Sequence, residues 1–134
     1  MTDSTESPGN AIKRRLLGSD FHPAPPPATQ AEAAYADLMS RELWEGVWSR
    51  PGLDLAMRRA ITMAVLIGLG QPEGLVTHAR GALADGMTAE EIGEIVLHCA
   101  LYCGAPAGDA AYRALRPLLT DAGGPGAVAD THDT

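Results

Sequence analysis

The chain is 134 residues long, a one-domain length, and seventeen acidic against ten basic residues give it a net charge of −7. That sign opposes binding to a polyanion unless the basic residues cluster, and they form no long run, so nucleic acid is not an expected partner. No stretch reaches the roughly 18 uninterrupted apolar residues of a membrane span, and the polar, acidic start lacks the basic and apolar regions of a signal peptide. A cytoplasmic protein with no membrane partner is expected.

Residues 1–10 are small and polar with no apolar period, and read as a disordered tail. Ala11 to Gly18 then predicts a short helix, with Ile12, Leu16 and Leu17 on one face and Lys13, Arg14 and Arg15 forming a solvated face. The prolines of His22 to Pro27 rule out helix and predict a stiff extended connector. A second helix is expected from Ala31 to Trp48, where Trp44 and Trp48 are large enough to anchor a core or a subunit contact.

Arg50-Pro51-Gly52 forces a turn, and Asp54 suits the N-cap of a third helix. From Ala60 to Leu69 that helix is almost uniformly apolar, so it should be buried all round, part of it by a partner chain. A fourth helix runs from Glu73 to Asp85 and stops at Gly86. Thr88-Ala-Glu-Glu91 has the capping-box pattern and launches a fifth, Ala89 to Cys103. A last helix, Ala107 to Leu119, has Pro117 near its end and should stop early, and residues 121–134 read as a second tail. With no alternating strand pattern anywhere, the fold class is all-α, about six helices in one domain over residues 11–120.

Five polar residues inside the apolar segments are the candidates for chemistry: Arg58, His78, Arg80, Glu94 and His98. Glu94 and His98 are four apart on one helix, so their side chains are neighbours and form a second proton-transfer candidate. Cys99 and Cys103 are also four apart, which leaves their Cβ atoms about 5–6 Å from each other, too far for a disulfide without unwinding. Both read as small buried apolar residues. No Cys/His set has metal-ligand spacing, so no metal is expected.

The motifs W-E-G-V-W-S-R-P-G-L (Trp44 to Leu53), R-x-x-I-T-M-A (Arg58 to Ala64), T-H-A-R-G-A-L (Thr77 to Leu83), G-M-T-A-E-E-I (Gly86 to Ile92) and L-H-C-A-L-Y-C-G-A-P-A (Leu97 to Ala107) follow in order. Together they resemble the carboxymuconolactone decarboxylase family over about residues 11–119. The resemblance implies an AhpD-like helical fold, assembled as a homotrimer or homohexamer with sites near subunit interfaces. It also implies cofactor-independent decarboxylation of a lactone acid, gamma-carboxymuconolactone to beta-ketoadipate enol-lactone in aromatic catabolism. The peroxidase branch of the same fold carries a C-x-x-C pair ahead of the histidine. Here those positions hold Gln71 and Gly74, which cannot form thiolates.

Such a reaction needs cations to hold carboxylates, a donor where charge develops on the carbonyl oxygen, and an acid to protonate carbon. His78 is the first choice for donor and acid, with Glu94 and His98 beside it as catalytic candidates. Arg58, Arg80, Trp44 and Tyr102 are the candidates for holding substrate. Two departures from the family pattern, Gly46 following Glu45 and Asp109 where an amide is usual, leave open a tailoring enzyme acting on another cyclic substrate. A silent oligomeric scaffold is the alternative from another class.

Overall fold

The computed structural model describes residues 6–123, so the outer parts of both expected tails, His132 included, lie outside the described residues. Those residues form six α-helices and no strand. Their contacts divide the chain into one unit ending at Leu55 and one beginning at Ala56.

In the first unit, α1 spans Pro8–Leu17 and begins earlier than Ala11. The reason is local: the Ser7 hydroxyl accepts from the Asn10 amide at 3.2 Å, and Pro8 sits where its missing amide costs nothing. Arg14 and Arg15 of the basic run are exposed, as a solvated face requires, and Lys13 is half-buried. Lys13 lies 5.7 Å from the Trp44 ring centroid, and Arg14 covers Phe21 and pairs with Glu6 at 2.8 Å.

The expected helix from Ala31 to Trp48 divides into α2, Gln30–Leu38, and a wider π-helical segment, Met39–Glu45. An i→i−5 bond from the Trp48 amide to the Leu43 carbonyl brings Trp48 over Trp44, with ring centroids 5.9 Å apart. The two rings and Leu16 form the buried cluster of this unit.

The second unit holds α3 (Leu55–Leu69, all but its first residue), α4 (Pro72–Ala84), α5 (Ala89–Cys103) and α6 (Ala105–Asp121). Its core takes Met63 and Ile67 from α3, Leu75, Ala79 and Ala82 from α4, Ile92 and Val96 from α5, and Ala111 and Leu115 from α6. The capping box forms as the sequence suggests, with Thr88 and Glu91 satisfying each other's amides at 3.1 Å. Gly86, at φ 104°, closes α4 in a conformation that a side chain would strain.

Two expectations are corrected here, the early end of the last helix and the burial of Cys103. α6 continues through Pro117 to Asp121, because that proline lies on the exposed side and the carbonyl it leaves unbonded is on the solvent side. Cys99 is buried, but Cys103 is exposed at the end of α5; both are free thiols. Along α3, Met57, Ile61, Val65 and Leu69, four residues apart, are exposed in the single chain, on the part of the helix whose burial was expected from a partner chain. Among the described residues no helix is long and apolar enough to cross a membrane.

Candidate active site

Two places in the second unit gather polar side chains. The first is an open groove of about 560 Å³ flanked by α3 and α5. Met57, Ala60, Ile61 and Ala64 form one wall; Glu94, Ile95, His98 and Cys99 form the other. The i, i+4 spacing delivers Glu94 and His98 to the same groove. The His98 imidazole stacks on Tyr102, with ring centroids 5.1 Å apart and planes 24° from parallel. Tyr102 itself is 83 % exposed. On the far side of α5, Tyr112 donates to the Gly93 carbonyl at 2.9 Å, and burial followed by the nearby Glu94 charge pushes its phenol above the ordinary value.

The second place lies between α3 and α4 and is built on Arg59. This arginine shares a helix stripe with Met63 and Ile67, the most buried face of α3, and is only 2 % exposed. An isolated buried guanidinium would be costly. Asp85 at the end of α4 compensates it: Arg59 Nε and Nη2 both reach Asp85 Oδ2 at 2.9 Å. The arrangement also suits α4, whose C-terminal end carries partial negative charge and disfavours a carboxylate without a cation beside it.

Gly81 makes room for the group. A Cβ at that position would stand 2.7 Å from Arg59 Cζ and closer still to Nη1. His78 is one turn before Gly81 and half-buried. Burial, and secondly the charge of Arg59, hold its pKa at about 4 instead of 6.5, so the imidazole is neutral near neutral pH.

The sequence candidates are thus distributed rather than gathered. Glu94 and His98 line the groove, with Tyr102 stacked beside the latter. His78 stands with Arg59. Arg58 is half-buried on the neighbouring face of α3, and Arg80 is exposed on α4. Trp44 is a core residue of the first unit. Of the two departures from the family pattern, Glu45 and Asp109 are both exposed side chains. A Cβ at Gly46 would come within 2.5 Å of the Glu42 carbonyl, so the inverted order answers a tight turn after the π-helical segment. Gln71 lines a smaller cavity of about 150 Å³, mostly apolar, between α3, α4 and α6.

Arg59 is the functional candidate that sequence reasoning missed. The signal was available: of the tandem Arg58-Arg59, only the second falls four and eight residues before Met63 and Ile67.

The helical fold, the T-H-A-R-G-A-L segment around His78 and the absence of a thiol pair before it define the class. The chain belongs to the carboxymuconolactone decarboxylase family, whose model matches residues 33–117. Among its relatives is a 4-carboxymuconolactone decarboxylase of Acinetobacter baylyi, 40 % identical over 89 residues, which cover 66 % of each chain. Another is a nitrosuccinic acid decarboxylase of Metarhizium robertsii, 38 % identical over 99 residues, 73 % of this chain and 69 % of the relative. The matched region thus spans about two thirds of each relative's length. Both relatives are named as decarboxylases, which groups the chain with the carboxy-lyases.

Proposed function

We propose that this protein is a decarboxylase of a small anionic acid, of the gamma-carboxymuconolactone type, in which His78 donates a hydrogen bond to the oxygen where negative charge develops. The observation that carries the reading is the half-buried imidazole, held neutral one turn from Gly81, against which the buried Arg59 guanidinium lies while paired to the exposed Asp85. In the reaction the carbon–carboxylate bond breaks, carbon dioxide leaves, and the electron pair moves into a conjugated acceptor. A proton then adds at carbon. A neutral imidazole N–H is a suitable donor to the resulting enolate oxygen, as in other enzymes that polarise a carbonyl with uncharged histidine.

That role refines the expectation from the sequence. With a pKa of about 4 in the unliganded chain, His78 carries little imidazolium to serve as an acid. The groove pair, Glu94 and His98, is then the candidate for delivering the proton to carbon, and Arg58 and Arg80 are the candidates for holding carboxylates.

A second reading is favoured by the nitrosuccinic acid relative. Loss of carbon dioxide next to a nitro group sends the same electron pair into the nitro oxygens, and the same donor and cations would stabilise it. The protein would then be a tailoring enzyme for a nitro or other activated acid. The exposed stripe on α3, together with Leu97 and Leu101 on α5, supports assembly as a homotrimer or homohexamer that covers these faces.

Carbon dioxide release from freshly prepared 4-carboxymuconolactone and from nitrosuccinate, measured side by side, tests the reading. Turnover of the lactone supports the catabolic role, and turnover of nitrosuccinate alone supports the tailoring role. A folded protein that releases carbon dioxide from neither argues for a scaffold.

A further inference from the structure

The ion pair between α3 and α4, a buried cation on an exposed carboxylate, has more structure than charge compensation requires. Arg59 is fixed by two contacts to a single oxygen of Asp85, and its guanidinium lies against a residue with no side chain. Any other residue at position 81 would occupy the space of the guanidinium. Position 81 is on the same face of α4 as His78 and Asp85, three residues from one and four from the other. The cation is therefore held at one point of a stripe whose next polar member is the candidate donor.

We propose that Arg59, clamped by Asp85 against Gly81, is a positioning residue of the His78 site, supplying the fixed positive charge to which both the imidazole and an anionic substrate respond. The proposal rests on His78 being the reacting group, as argued above. The chemistry follows from the difference between the two side chains. An arginine stays charged at any physiological pH, so its attraction for an anion does not vary with pH. A second cation beside it is disfavoured, which leaves the histidine uncharged and suited to donate to an oxyanion. Binding charge and hydrogen-bond donor are divided between two residues.

The other charged groups around His78 are few. α3 offers Arg58 and Arg59, and α4 with its C-terminal cap offers Arg80 and Asp85, with Glu73 exposed in its first turn, five residues before His78. α6, which packs on α4, turns Gly108, Ala111 and Leu115 inward and leaves Asp109, Arg113 and Arg116 exposed. Among the described residues, the buried one with a permanent charge is Arg59.

The experiment is a proton NMR titration of the His78 imidazole in the full chain, with helical content followed by circular dichroism. Arg59→Met should raise the His78 midpoint from about 4 part of the way toward 6.5, burial keeping the remainder of the shift. Asp85→Asn, which leaves the cation but removes its counter-charge, should move the midpoint the other way. A residue that merely filled space would not produce shifts of opposite sign. An unchanged midpoint in folded Arg59→Met, or shifts of the same sign in both variants, would overturn the proposal. Should Arg59→Met fail to fold, Asp85→Asn decides alone: a downward shift supports the proposal, and no shift or an upward one overturns it. The titration needs no turnover, so it separates the role of Arg59 from the identity of the substrate.

Discussion

His78 links the site to the stability of the whole chain. Its folded-state pKa of about 4 lies below the ordinary value of 6.5, so between these limits the unfolded chain binds a proton that the folded chain does not. Stability then rises with pH through that window and is lost as pH falls through it. Thermal melts at constant ionic strength should show the melting temperature dropping as pH is lowered from above 6.5 to about 4, with a smaller drop in His78→Gln. Equal slopes in the two proteins would contradict the burial of the imidazole. His78 itself was legible in the sequence because it stands in a recognisable motif. Arg59 was legible only through its spacing to Met63 and Ile67, because a tandem of arginines in an apolar helix looks like a single polar interruption until each is assigned to its own face. The relation between His78 and Arg59 arises where two helices approach, and spacing along one helix carries no signal for it.

Helix packing depends on small residues at particular crossings. Where α5 meets α6, a Cβ on Gly108 would lie 2.6 Å from the Ala100 Cβ, closer than two carbons approach. Gly108→Ala must push the helices apart, and the expected cost is about 1–3 kcal/mol in urea denaturation. Gly93, on α5, has open space where its Cβ would be, so Gly93→Ala should be neutral or stabilise by up to about 1 kcal/mol through helix propensity. Similar losses in both would mean that the α5–α6 packing is not as described. The elements of this unit were largely readable, since Thr88, Glu91 and Gly86 mark their ends with local chemistry. The π-helical segment was not. A shift of one hydrogen-bond step at Leu43 and Trp48 leaves the apolar pattern almost unaltered, and only the stacking of the two tryptophans gives it a reason.

At the scale of the molecule, a single chain leaves much apolar surface in contact with water. Val65 is 53 % and Leu101 83 % exposed, and each continues a stripe of apolar neighbours on its helix. The uniform apolar pattern of α3 calls for burial on every side, whereas the single chain buries only the Met63 and Ile67 face. Sedimentation should find a trimer or hexamer, and Val65→Glu combined with Leu101→Glu should shift it toward monomer with helical content preserved. A monomeric native protein would contradict the proposed assembly.

Everything proposed about the chemistry depends on a neutral His78 donating to the developing oxyanion of a decarboxylation. The most direct test compares kcat for carbon dioxide release by the native chain, His78→Gln and His78→Ala on whichever acid the native chain turns over. The expected result is a loss of about 10²–10³ in His78→Ala, the usual effect of removing one such donor, with part of it restored in His78→Gln, whose amide can still donate. Native rates in His78→Ala, from a folded oligomer, would contradict it.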